Sequence, residues 1–152
     1  MIGPPWRLEG VAALIVTADG RYLLQLRDDV PRIHMPGNWA LFGGHVEAGE
    51  SDEKALCREL AEELDFRVTS LAPFLETAYE IPGTSIGPIR KAFFEVPFDE
   101  RDLRTLTLRE GQRMALFSFV EIRARTNIVP WDEFALSTHA RRHEVSRLPS
   151  MT

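Results

Sequence analysis

The residues best suited to chemistry lie between Gly43 and Phe66, in the stretch GGHVEAGESDEKALCRELAEELDF. A glycine pair is followed there, at fixed offsets, by Glu50, Arg58, Glu59, Glu62 and Glu63. Ser51 suits an N-cap, and Asp52 and Glu53 suit the positive end of a first helical turn. Leu56, Leu60 and Leu64 recur every fourth residue, which predicts one apolar stripe on a helix over 51–64. At about 100° per residue, Glu59, Glu62 and Glu63 fall together beside that stripe, with Glu63 nearest the leucines. Three carboxylates in one place repel each other and resist half-burial. A divalent cation removes the conflict, and carboxylate and carbonyl oxygens are the ligands that Mg²⁺ or Mn²⁺ prefers. An acidic helix face by itself is more often just solvated, so the cluster alone leaves both readings open.

The spacing narrows the choice. Written as G-x5-E-x7-R-E-U-x-E-E-x-G-U, with U a bulky apolar residue, the stretch resembles the Nudix box. Gly44, Glu50, Arg58, Glu59, Leu60, Glu62, Glu63 and Phe66 match it. Asp65 stands where the family usually has glycine, and aspartate tolerates the left-handed conformation better than most residues. The resemblance implies a single domain over 1–152, core about 8–146, of the α/β (α+β) class: an α/β/α sandwich with a mixed sheet. It implies hydrolysis, with Mg²⁺ (or Mn²⁺), of the diphosphate joining a nucleoside to another moiety, either a nucleoside triphosphate or a nucleotide sugar. Glu59 and Glu63, with Glu62 close behind, are the expected metal ligands, and one of them orients or deprotonates the water. Gly43 lets the backbone approach the cation with its carbonyl, and Gly44 is expected to permit a turn that a Cβ would hinder. Arg58 is read as a support that fixes the carboxylates, chiefly through Glu50.

Outside the box, Arg109-Glu110-Gly111-Gln112 is similar to the KEGQ segment of the MutT-type branch. That match makes Glu110 a further candidate ligand or base, ahead of Glu95, Glu100 and Asp102. Three residues are candidate substrate contacts. Arg27 closes a strand and could hold a phosphate, Phe42 (or Trp39) could stack on a base, and Asp132 could accept from a base amino group. Asp132 equally suits the N-cap of a last helix. A different class of function is a catalytically silent Nudix-fold module that senses a nucleotide. Such modules typically lose box glutamates, and every one is present here.

The flanking elements must position this stretch. Apolar runs at 8–16 and 20–27, separated by Asp19-Gly20, predict a hairpin. Residues 39–42 read as a short strand leading to the glycine pair, and 66–81 as extended with an interruption at Pro73. A breaker-rich loop at 82–88 precedes a strand at 89–98, which is expected to form a second hairpin with the segment before it. The alternation of 103–109 and the apolar run 114–120 predict further strands, and 131–144 a terminal helix before a frayed tail after Leu148.

Composition sets the bounds. At 152 residues and 44% hydrophobic, the chain can bury one real core. A net charge of −5 argues against gripping nucleic acid through its phosphates, while a small nucleotide remains compatible because a metal supplies local positive charge. A single cysteine, Cys57, fits a reducing cytoplasm. No apolar run approaches membrane-spanning length, so no membrane partner is expected. The family allows a homodimer.

Overall fold

The computed structural model describes residues 6–145. Seven strands form one sheet: β1 (Leu8–Thr17), β2 (Tyr22–Leu26), β3 (Trp39–Ala40), β4 (Phe42–His45), β5 (Ala72–Tyr79), β6 (Ile89–Phe98) and β7 (Arg113–Phe117). The helices are α1 (Asp52–Leu64), α2 (Phe119–Arg123), α3 (Pro130–Ala140) and α4 (Arg142–Val145). Strand β1 is the axis of the sheet. It pairs parallel with β6 over its whole length, Leu8 opposite Ile89 to Thr17 opposite Phe98. On its other side the predicted β1–β2 hairpin holds only at Val16–Tyr22, and then the two strands part. The fork is filled by β4 against β1 and β3 against β2. The result is a mixed sheet, because β5 and β7 add antiparallel pairs at the two edges.

Period-two alternation divides the core between the two faces of this sheet. Val11, Ala13 and Ile15 pack with Leu56, Leu60 and Leu64 of α1, whereas Ala12 and Leu14 pack with Ile122 of α2 and with Ala135 and Leu136 of α3. Helices thus cover both faces of the sheet, and the fold is α+β. The leucine stripe read from the sequence is the buried face of α1. Ser51 caps that helix by accepting from the Lys54 N–H at 3.2 Å. Asp65 ends it in the left-handed region, at φ 53°, where its N–H bonds the Ala61 carbonyl.

Further expectations change, and the single strand read over 39–42 is two, β3 and β4, parted at Leu41. Residues 66–71 lie outside any strand, and β5 begins at Ala72, with a register shift between Pro73 and Leu75. The alternating segment 103–109 is not a strand: Asp99 caps a 3-10 turn over Glu100–Thr105, and the chain then runs across the end of α1. Its alternation is real, since Leu103, Leu106 and Leu108 pack on the α1-side core. The backbone partners, however, are helix carbonyls: Thr107 N–H bonds Leu64 O at 2.9 Å and Arg109 N–H bonds Glu63 O at 2.8 Å. Strand β7 stops at Phe117 because Ser118 and Glu121 form a reciprocal capping box that starts α2. The terminal helix divides after Ala140, and its N-cap is Val129 with Pro130 in the first turn, so Asp132 is not the cap. The tail after Leu148 lies outside the described residues. Among those residues no helix is long and apolar enough to cross a membrane.

Candidate active site

The glycine pair sits inside β4, not in a turn, and each glycine answers to a different neighbour. A Cβ on Gly43 would lie 2.0 Å from the Val11 carbonyl oxygen and 2.7 Å from Ala12 Cα, so β4 could not pair with β1. A Cβ on Gly44 would lie 2.3–2.5 Å from the carboxyl atoms of Glu59. Gly44 therefore makes room for the Glu59 carboxylate where the sequence suggested turn geometry.

The acids of α1 divide by depth. Glu63 is only 5% exposed and accepts the Gly43 N–H at 3.2 Å. Burial pushes its carboxyl up to about 9, helped by the charge of Glu110, a hydrogen bond with Glu110 and the charge of Glu59. Glu59 is also raised, first by burial, although Arg58 works against the shift through a 2.9 Å hydrogen bond from Nη1. Glu62 is on the rim, its side chain 60% exposed and touching Arg58 at 3.4 Å. Glu110 arrives from the segment that crosses the end of α1: the Arg109 N–H bond to Glu63 O sets it against Glu63.

Arg58 holds the group together. Nε and Nη2 grip the two Glu50 oxygens at 2.8 and 2.9 Å, and Nη2 also donates to the His45 carbonyl at 2.9 Å. This clamp keeps the Glu50 carboxyl at about 2, and Glu50 also accepts the Glu47 N–H. One guanidinium thus ties the loop before α1 to the helix and to the end of β4.

Glu63, Glu59 and Glu110 interact electrostatically. Among the described residues, however, no three His, Cys, Asp or Glu side chains converge closely enough to form a metal cage as they stand. The donor chemistry still fits a hard divalent cation. The donors are all oxygen, and the deepest of them, Glu63, has like-charged neighbours and a single backbone N–H in its favour.

Beside the acids lies a cleft of about 170 Å³ that reaches from Glu63 and Glu110 to α3. Tyr79 and Trp131 stack on each other in its wall, ring centroids 4.9 Å apart and 14° from parallel. Arg27 lines it too, with Nε donating to the His34 carbonyl at 2.9 Å and so pinning the loop after β2. Asp132, 2% exposed, accepts the Leu41 N–H at 3.0 Å and pairs with Lys91 Nζ at 2.9 Å. Phe42 is removed from the substrate contacts: its side chain is wholly inside the α1-side core. Trp39 is also buried, edge-on to Phe117. A larger open depression of about 800 Å³, lined by Tyr22, Glu95 and Arg142, contains none of the α1 acids. Sequence reasoning missed Lys91, Tyr79 and Trp131. The available signal for Lys91 was a pair of adjacent cations, Arg90 and Lys91, inside the otherwise apolar strand run IRKAFFEV; for the two aromatics there was none, because they are far apart in the chain.

A mixed sheet between helices, with a glycine pair pressed under a glutamate-bearing helix, is the architecture of one protein class. The family model described as the NUDIX domain matches residues 6–146, and the chain belongs to that family. Among curated relatives, the nucleoside triphosphatase NudI of Escherichia coli is 42% identical over 71 residues, 45% of this chain and 49% of that protein. The match thus spans about half the length of these curated relatives. The solution structure of the E. coli ORF135 protein is 30% identical with a TM-score of 0.71, covering 94% of each chain. The MutT protein of Methanosarcina mazei Go1 shares the fold at 20% identity and a TM-score of 0.73, over 95% of this chain and 99% of its own.

Proposed function

We propose that this chain hydrolyses the diphosphate link of a nucleoside diphosphate derivative, a nucleoside triphosphate before a nucleotide sugar, with Mg²⁺ or Mn²⁺ as cofactor. The observation that carries the reading is Glu63: a carboxyl buried beside Glu59 and Glu110, with no basic side chain among the groups that set its charge state. The name of the E. coli relative, a nucleoside triphosphatase, supports the choice of triphosphate. Glu59, Glu63 and Glu110, with Glu62 at the rim and the Gly43 carbonyl, are the groups that would hold the ion. Bound there, the ion supplies charge neutralisation at the phosphates and a more acidic water.

The chain's own residues do the rest. Arg58 and Glu50 keep the helix acids in register with β4. Arg27 stands at the cleft where a phosphate could meet it, and the Tyr79–Trp131 wall offers the base a flat face. Water adds to one phosphorus, the bridging P–O bond breaks, and a glutamate of the cluster takes the released proton.

The test is release of phosphate or pyrophosphate from nucleoside triphosphates, nucleotide sugars and dinucleoside polyphosphates, with Mg²⁺ and with chelator. Turnover that chelator abolishes is expected. Inertness across the panel would turn the reading towards a nucleotide-sensing module.

A further inference from the structure

One buried side chain in the floor of the cleft has hydrogen-bonding capacity that the fold leaves unused. Gln25 of β2 is 4% exposed and lines the cleft together with Glu63 and Glu110. Its Nε2 donates to the Leu41 carbonyl at 3.3 Å, and the amide makes no other hydrogen bond among the described residues. The Leu41 carbonyl can only accept, which fixes the nitrogen on that side of the amide and Oε1 on the other. A primary amide has two N–H groups and an oxygen with two lone pairs, so one N–H and Oε1 stay open. Among the described residues no fully shielded side-chain nitrogen or oxygen is without a partner, so what Gln25 leaves open faces the cleft. Two features place that face at the acids. A Cβ on Gly111 would lie 2.9 Å from Oε1, so the turn that follows Glu110 lies against the amide oxygen. Leu41, which holds the nitrogen, is two residues before Gly43, whose N–H donates to Glu63.

We infer that Gln25 positions the attacking water: Oε1 accepts one water O–H, and the free N–H donates to a non-bridging oxygen of the phosphorus under attack. The inference rests on the hydrolase reading. The open atoms choose the occupant. An ionised phosphate only accepts, so by itself it would set lone pairs against Oε1. A water beside a phosphoryl oxygen offers a donor and an acceptor side by side, which matches the amide atom for atom. The water has two hydrogens. One leaves to a glutamate of the cluster as the oxygen adds to phosphorus and the bridging P–O bond breaks, its electron pair staying on the departing group. The other stays on the oxygen and is the one Oε1 holds, so Gln25 neither gains nor loses a proton. Fixing the water before the bond forms lowers the barrier by orientation. A neutral amide suits the place, because a lysine there would pair with Glu63 or Glu110 and a carboxylate would repel the phosphates.

The full chain with Mg²⁺ is assayed on the nucleoside triphosphate that it cleaves fastest. Gln25→Leu keeps most of the volume and removes both open atoms. Its kcat is expected to fall by about ten- to a hundredfold, with KM within about twofold of wild type. In chelator, calorimetry with a methylene-bridged triphosphate should give both chains the same Kd within about twofold. Methanol is the second probe, because a methyl group replaces the hydrogen that Oε1 holds. In methanol–water mixtures the wild type should favour water over methanol by roughly tenfold or more per mole, read as phosphate against methyl ester product. Gln25→Ala, which also opens the space, should lose most of that preference. A folded Gln25→Leu with unchanged kcat, or with weaker binding in place of slower turnover, overturns the inference. A wild type that takes methanol as readily as water overturns it without any variant. In each of these cases the hydrolase reading stands. A wild type inert on every nucleotide with Mg²⁺ fails the hydrolase reading itself and takes the inference with it.

Discussion

Glu63 concentrates the electrostatics of this molecule in one side chain. It has the apolar surroundings of a core residue and the charged neighbours of a surface one. Glu63→Gln keeps the volume and the capacity to accept the Gly43 N–H while removing the charge. Turnover is therefore expected to fall by about two orders of magnitude or more with the circular dichroism spectrum unchanged; normal turnover would take Glu63 out of the reacting centre. The same residue predicts a pH dependence of the metal-free chain. A folded carboxyl near 9, against about 4.5 unfolded, keeps its proton across that window while the unfolded chain releases its own. Its contribution is thus complete below about 4.5 and is lost as pH rises towards 9, with a slope of at most about 1.4 kcal/mol per pH unit. Urea unfolding in chelator at pH 6 and pH 8 should show wild type losing stability relative to Glu63→Gln. Parallel curves would mean that Glu63 is already ionised in the folded chain.

At the scale of elements, helix α1 is well started and poorly finished. Ser51 caps it and Asp52 and Glu53 suit its positive end, but its last turn has no basic residue and Asp65 adds a negative charge there. Asp65 also bears the cost of the left-handed backbone at φ 53°. Asp65→Gly relieves both and is expected to stabilise the fold by about 0.5–1 kcal/mol in urea unfolding, after allowing for the greater freedom of glycine in the unfolded chain. A loss of stability would show that the exposed contact with Arg109, at 3.9 Å, matters more than the backbone. The segment that crosses this helix end ties the element to the acid cluster. Its N–H groups satisfy carbonyls that a helix terminus leaves open, and in doing so they set Glu110 beside Glu63.

Across the whole molecule, α3 is fastened to the sheet by a buried polar chain. Tyr22 of β2 meets His139 Nδ1 at 2.7 Å, and Glu95 of β6 meets Nε2 at 2.6 Å. Phe74 of β5 packs edge-on against the imidazole, and Arg142 bonds the His139 carbonyl. Burial lowers the His139 pKa against the pull of Glu95, with Arg142 and His143 adding to the fall. The sign is opposite to that of Glu63: below about 6.5 the unfolded chain binds a proton that the folded chain resists, so stability is lost as pH falls. Between pH 7.5 and 5.5 the wild type should lose more stability than His139→Gln in chemical denaturation. An identical loss in both chains would show that His139 takes its proton without cost, with Glu95 as its counter-ion.

The sequence alone determined what repeats within a few residues: the leucine stripe of α1, its cap, the spacing of its acids and the apolar runs of β1, β2 and β6. These follow from periods of 3.6 and 2, which any thirteen-residue window contains. It also named the family through the offsets of Gly44, Glu50, Arg58 and the three helix glutamates. Tertiary structure alone decided which of those glutamates is deep and which is on the rim, because depth depends on the approach of β4 to α1. It alone made 103–109 a crossing over a helix end, opened the β1–β2 hairpin into a fork, withdrew Phe42 into the core, and paired Lys91 with Asp132. Each of these outcomes joins residues tens of positions apart, and sheet register, which no local period carries, sets which of them meet.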